Sequence, residues 1–252
     1  MDSNDPKDTK SYSDALKVDP NSIITTSIDA VPVTVERKPP RWSKLGGSRY
    51  LGVARANLAA THERPEGTTD DDWAQRHQNQ TVLQQHCDFF DKNHDGVIWP
   101  IDTLRGFYQL GYGIILSVIS VLVIHGNFSY PTQSSLLPDP FFRIHIDNIH
   151  KDKHGSDTGT YDTEGRFIPQ KFEDMFSKYA EGRDYLTIWD VSNLMKGQRL
   201  IADPIGWGGA FFEWMATYIL LWPDDGRMMK EDIRGIYDGS LFYNVAARRV
   251  SK

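Results

Sequence analysis

Residues 81–130 read TVLQQHCDFFDKNHDGVIWPIDTLRGFYQLGYGIILSVISVLVIHGNFSY, and three features of this stretch set both the fold and the question of function. The first is a loop. Counted as twelve positions from Asp91, DKNHDGVIWPID places side-chain oxygens at one, three and five (Asp91, Asn93, Asp95) and Gly96 at six. The backbone carbonyl of Val97 falls at seven, apolar Ile98 at eight and the Asp102 carboxylate at twelve. This is the EF-hand calcium pattern: a hard cation takes six or more oxygens from a tight turn, so alternate residues point inward and glycine supplies the reversal. A solvated turn rich in Asp and Asn is the plain alternative, and the helical apolar runs on either side favour the metal loop. Asp102 is a methylene shorter than the usual Glu, which points to modest affinity and some tolerance of magnesium.

The second feature is the entering helix. Val82, Leu83, His86, Phe89 and Phe90 recur at three- and four-residue spacing, which predicts one apolar helical face with His86 on its buried side. The exiting helix starts at Pro100, where the missing amide hydrogen is not needed. The third feature is the run Gly106 to Ile124, which contains no Asp, Glu, Lys or Arg. As a helix it would be roughly 28 Å long, near the hydrocarbon thickness of a bilayer. Its glycines and serines, with Pro131, Pro138 and Pro140 beyond, predict a bent, half-inserted segment; the soluble alternative is a buried core helix.

Outward from this stretch, the chain of 252 residues is 39% apolar and 25% charged with net charge −6. The expected fold is mainly α: an EF-hand-like helical domain with one intact and further degenerate EF-hand loops, plus a central hydrophobic segment. Degenerate loops are read around Gly165 (YDTEGRFIPQKF) and Gly226 (WPDDGRMMKEDI), able to pack against the first loop without holding metal. The division expected is a polar, disordered extension over 1–50, a helical EF-hand region over 51–105, a lipid-associating segment with a proline-rich end over 106–140, and a C-terminal helical region over 141–252. Within these, helices are predicted at 51–60, after the acidic run Asp70 to Asp72, and over 170–180, 188–195, 207–222 and 230–237. The strongly apolar 207–222 reads as either a core helix or a second lipid-facing surface.

Negative charge excludes nucleic acid as the main partner. Basic residues do gather at Arg37 to Arg49 and at Arg248, Arg249 and Lys252, where they are solvated or meet anionic lipid. One cysteine, Cys87, excludes an intrachain disulfide framework and fits a reducing compartment. The polar, acidic start implies no secretory signal, and the Asn127-Phe128-Ser129 sequon is then unused.

There is no Cys-x-x-Cys, His-Glu-x-x-His, Gly-rich phosphate loop or Gly-x-Ser-x-Gly elbow, so the chemistry falls to histidine. His86 lies beside the metal loop. His145, His150 and His154 cluster in a polar segment, and His150 and His154 share a face if that segment is helical. Each has a plain reading as a buried or solvated histidine. A neutral imidazole in an apolar wall can also bind haem iron, and without Cys-x-x-Cys-His such a haem is not c-type.

Taken together, LQQH, FFDKNHDGVIWP, the uncharged run with its prolines, NIHKDKHGSD, YDTEGRF and DGSLF resemble the caleosin family, the seed-type peroxygenases of plants and fungi, over about residues 80–245. A weaker echo, AVPVTVERKPP, lies at 30–40, and the long polar stretch before Leu51 resembles fungal members. The resemblance implies one Ca2+-binding EF-hand, a proline-knotted apolar segment, and a haem b held by histidine. It implies His86 as axial ligand and His154 as second haem-linked residue, both at the catalytic centre. The implied partners are fatty acid hydroperoxides, unsaturated fatty acids to be epoxidised or oxygenated, and a lipid-droplet or endoplasmic-reticulum membrane at its cytosolic face, with a homo-oligomer left open. Two departures stand out: Asp102 at position twelve and a proline knot thinned to three prolines. The rivals are a non-enzymatic, calcium-dependent structural protein of lipid droplets and a soluble calcium sensor with an apolar groove.

Overall fold

The computed structural model describes residues 58–250. The 1–50 extension, the 30–40 echo, the basic residues Arg37 to Arg49, Lys252 and most of the helix expected at 51–60 lie outside the described residues. The end of that last segment, residues 58–60, is not helical.

Periodic apolar spacing yields nine α-helices among the described residues. They are α1 (Trp73–Arg76), α2 (Val82–Asp88), α3 (Pro100–Leu110), α4 (Gly113–Thr132), α5 (Pro169–Tyr179), α6 (Ile188–Gln198), α7 (Pro204–Leu221), α8 (Lys230–Tyr237) and α9 (Ser240–Val250). A 3-10 turn, Asp70–Asp72, leads into α1, and Ile146–Asp152 forms a second 3-10 helix. Thr81 starts α2 because its hydroxyl accepts the Gln84 amide while the Gln84 side chain accepts the Thr81 amide, two otherwise orphaned donors. Pro100 begins α3, as its fixed φ allows.

The charge-free run is two helices. Its first residues close α3, the chain turns at Gly111 with φ +96°, and α4 then carries the apolar sequence to Thr132 with Pro131 in its last turn. The bend that the glycines predict therefore falls before the apolar helix and not within it. Among the described residues α4 is the one helix long and apolar enough to cross a bilayer, by length and composition.

Two short antiparallel ladders organise the helices. β1 (Val97–Ile98) pairs with β2 (Ile144–His145), placing Ile98 opposite Ile144, and β3 (Tyr185–Leu186) pairs with β4 (Met228–Met229), placing Leu186 opposite Met228. Each strand sits between two helices, so the chain forms four helix–loop–helix units in two pairs. The partner of the 91–102 loop is the segment that follows α4, not the Gly165 or Gly226 loops. The Gly226 loop pairs with the loop between α5 and α6. The Gly165 turn, closed by a Tyr161–Phe167 bridge, uses its carbonyl to accept the Leu83 amide at 3.0 Å and so docks on the entering helix α2.

The three later loops carry internal arginine–carboxylate pairs. Arg143 Nε donates to Asp139 at 2.8 Å, Arg183 Nη2 donates to both Asp190 oxygens at 3.0 and 3.1 Å, and Arg227 lies 3.7 Å from Asp225. Asp190 also accepts the Thr187 amide and hydroxyl, capping α6.

Two apolar cores result. One gathers Phe172, Met175, Leu186, Leu194, Met228 and Ile233 of the second pair; the other gathers Phe89, Phe90, Ile98, Ile144, Ile149 and Phe242. Helix α2 belongs to both, with Val82 in the first and Cys87 in the second. His86 thus stands on the helix that joins the two halves.

Candidate active site

His86 is half-buried near the end of α2. Its Nδ1 lies 2.7 Å from the Ile236 carbonyl oxygen. A carbonyl only accepts, so Nδ1 carries the proton and Nε2 keeps its lone pair. Burial holds the imidazole below its ordinary pKa, outweighing the Ile236 hydrogen bond and the charges of Glu213 and Asp238. The ring packs edge-on against Phe242, with centroids 5.1 Å apart. A neutral imidazole with a fixed tautomer and one free nitrogen is the state in which histidine binds a metal.

Because α8 ends at Tyr237, the Ile236 carbonyl has no partner four residues on; it accepts the Gly239 amide at 3.1 Å and also takes the His86 ring. The corner that follows is held by Asp238, whose carboxylate accepts Arg234 Nη1 at 2.9 Å, the Thr68 hydroxyl at 2.6 Å and the Ser240 hydroxyl at 2.6 Å. Gly239, at φ +78°, then brings the corner onto α2: a Cβ there would lie 2.7 Å from the Gln85 carbonyl oxygen.

His154 lies beyond the 146–152 helix, after Lys153 in extended backbone, so it shares no helical face with His150. Its Nε2 is 3.5 Å from Glu213 Oε1 on α7, and its Nδ1 is buried without a hydrogen-bond partner. The Glu213 hydrogen bond raises its pKa against the opposing effect of burial. Gly209 leaves room for the ring, since a Cβ at that position would lie 3.0 Å from His154 Nε2. The nearby Asp152 carboxyl is pushed up to about 7 by burial, with Glu213 adding to it. The charge of Glu213 acts on His86, His154 and Asp152 alike. His150 is half-buried, its pKa lowered by burial and by Lys151, and His145 lies in β2 opposite Val97.

A haem-holding histidine needs an imidazole nitrogen that is not committed to another partner. His86, bonded through Nδ1 alone, and His154, whose Nδ1 is buried and unpartnered, meet that need, so the chemistry of these donors fits a haem.

In the 91–102 loop, Asp91 accepts the Asp95 amide at 3.2 Å and the Gly96 amide at 2.8 Å. The Asn93 side chain donates to Asp95 at 2.8 Å. Burial raises the Asp91 pKa, and the neighbouring Asp95 charge raises it further, a repulsion that a bound cation would relieve. Asp102 accepts the Trp99 amide at 3.1 Å and caps α3, so it is not drawn in to meet Asp91 and Asp95. Among the described residues no group of three or more His, Cys, Asp or Glu side chains converges as a ready metal site.

One cluster escaped the sequence reading. Asp88 accepts Gln80 Nε2 at 3.0 Å and the Tyr243 hydroxyl at 3.1 Å, with His77 Nε2 at 3.7 Å and His94 Nδ1 at 3.5 Å. Burial alone would raise its pKa, yet hydrogen bonds from His77, Gln80 and Tyr243 bring it down to about 2. It lines a cavity of about 400 Å³ that also touches Asp91 and Gly96 of the loop. The partners lie far apart in the chain, and no local spacing announces them.

The fold defines a mainly helical protein of paired helix–loop–helix units with one long apolar helix. The family model for caleosin related proteins matches residues 78–246. A peroxygenase of Lilium longiflorum is 43% identical over 235 residues, covering 92% of this chain and 95% of that protein. A probable peroxygenase 4 of Arabidopsis thaliana is 39% identical over 171 residues, covering 68% of this chain and 88% of that one. A probable inactive peroxygenase-like protein of the same plant is 39% identical over 153 residues, covering 58% and 71%. No solved structure matches. The chain belongs to the caleosin family, and it is an enzyme of the peroxygenase type.

Proposed function

We propose that the chain is a calcium-binding haem peroxygenase that uses fatty acid hydroperoxides to epoxidise or oxygenate unsaturated lipids at the cytosolic face of lipid droplets and the endoplasmic reticulum. The observation that carries this reading is the His86 imidazole, neutral and tied through Nδ1 to the Ile236 carbonyl, with Nε2 free.

His86 would hold haem b through Nε2, with His154 as the second haem-linked residue. The haem, when bound, supplies cleavage of the peroxide bond and transfer of one oxygen atom to the acceptor. His154 is the chain's proton carrier: Glu213 engages Nε2 and favours the protonated ring, leaving Nδ1 as the atom that exchanges a proton with substrate. Gly209 keeps the approach to that ring open. Calcium, held by Asp91, Asn93, Asp95, the Val97 carbonyl and Asp102, would stiffen the end of α2 directly after His86. The exposed apolar side of α4, including Ile115 and Leu122, supports attachment to a lipid surface.

The test is the absorption spectrum of the purified protein after expression with ample haem. A Soret band that disappears in His86→Val supports the enzyme; a protein that takes up no haem overturns it and leaves a calcium-dependent lipid-droplet coat.

A further inference from the structure

The sequence leaves 207–222 open as either a core helix or a lipid-facing one, and the structure places it in α7 (Pro204–Leu221). Helix α7 carries a single charged side chain in this range, Glu213, and that carboxylate is engaged at His154. Its inward residues are few: Gly206, Ala210 and Trp214, spaced four apart. Its outward side is large and apolar, with Ile205 77% exposed and Phe211 and Phe212 48% and 47% exposed, after an Ile201 that is 94% exposed. A core helix of a water-facing protein does not leave such side chains outside.

This surface joins that of α4. The Tyr112 hydroxyl, at the start of α4, donates to the Ala216 carbonyl of α7 at 2.7 Å, and Leu220 packs on the same core as Ile124 and Phe128. Cations sit among the aromatic residues at the rims. Arg199 lies 5.6 Å from the Trp207 ring, and Arg249 packs over Gly111 at the α3–α4 corner. In a chain of net charge −6, arginines at the edges of an apolar face suit a surface of acyl chains and anionic headgroups.

We infer that α7 is a second lipid-contacting helix beside α4, and that its occupant is a phospholipid surface bearing anionic headgroups. This rests on the lipid-surface reading given above and deepens it. The same helix presents Gly209 and Glu213 to His154, so it links the lipid-facing side to the candidate centre.

The test uses the full-length holoprotein with an environment-sensitive nitrobenzoxadiazole label on a cysteine placed at Phe211→Cys, at Leu122→Cys on α4, or at Lys178→Cys on α5 as control. Cys87 is buried and stays unlabelled. The probes are phosphatidylcholine vesicles with and without phosphatidylserine, carrying nitroxide-labelled acyl chains. Expected are a blue shift and several-fold quenching at positions 211 and 122 with phosphatidylserine present, weakening at least several-fold without it, and no response at 178. A response at 122 but not 211 overturns the role of α7 and leaves the lipid reading intact. No response at either position, with no co-flotation, overturns the lipid reading itself. Equal responses on phosphatidylcholine alone overturn the anionic assignment. An emission change at 211 that follows protein concentration without vesicles assigns the face to a second copy of the chain and overturns the proposal.

Discussion

A methyl group added at Gly239 would lie 2.7 Å from the Gln85 carbonyl oxygen and 3.0 Å from the His86 Cα, at a backbone φ of +78°. Clash and left-handed strain act together there, so Gly239→Ala is expected to destabilise by about 1–3 kcal/mol in urea unfolding. It should also weaken haem retention, because the Ile236 carbonyl moves with the corner. Asp88 yields a pH prediction. Its folded pKa of about 2 lies below the ordinary 3.8, so the fold favours the ionised form. That contribution is complete above the unfolded value and is lost as pH falls toward about 2. Asp88→Asn should therefore lose less Tm than the wild type on acidification from about pH 4 to about pH 2, measured by circular dichroism melts. At this scale the sequence disclosed what local spacing can disclose. His86 and the twelve loop positions follow from helical and loop periodicity. Glu213, Gly209, Asp152 and the Ile236 carbonyl did not, because their relation to the histidines exists only once distant segments meet.

Among the elements, the arginine pairs decide which loops answer to a cation. Arg143 and Arg183 already neutralise Asp139 and Asp190, so a divalent ion would have to displace a bonded guanidinium before it could bind. One calcium per chain is expected by isothermal titration. Asp95→Ala should abolish it, while Asp139→Asn and Asp190→Asn should leave the stoichiometry unchanged. A second equivalent lost in either of these two variants would contradict the account. The same pairs explain why the partner of the first loop was not legible in the sequence. A loop closed by Asp139 and Arg143 needs neither the oxygen ladder nor the glycine by which such loops are recognised. The Gly226 loop kept its glycine and was found, though its ladder joins β3 and not β1. Gly111 was readable as a break; where it cut the apolar run was not, since α3 continues without charge for its last turn.

For the whole molecule, the two cores share α2, and damage to one should be felt at the other. Phe172 is fully buried in the core away from the loop, and Phe172→Ala is expected to cost about 3–5 kcal/mol. Unfolding should remain one transition by tryptophan fluorescence and far-ultraviolet circular dichroism. Two separated transitions would show that α2 does not couple the halves. Calcium removal tests the coupling from the other end: chelation is expected to lower the temperature at which the Soret band is lost, and an unchanged band would separate the loop from the histidine beside it. Composition and periodicity announced a mainly helical chain with an apolar helix. They did not announce that the 91–102 loop belongs to a set of four units, because pairing two residues at a time leaves almost no trace in a linear pattern.

Cys87, next to His86, is buried, and its thiol is pushed up to about 12 chiefly by that burial. Oxidants attack the thiolate, which at neutral pH is then a vanishing fraction of this side chain. An enzyme of the peroxygenase type thus keeps its lone sulfhydryl in the one form oxidants scarcely touch, and oxidant exposure need not inactivate it through sulfenic acid at that position.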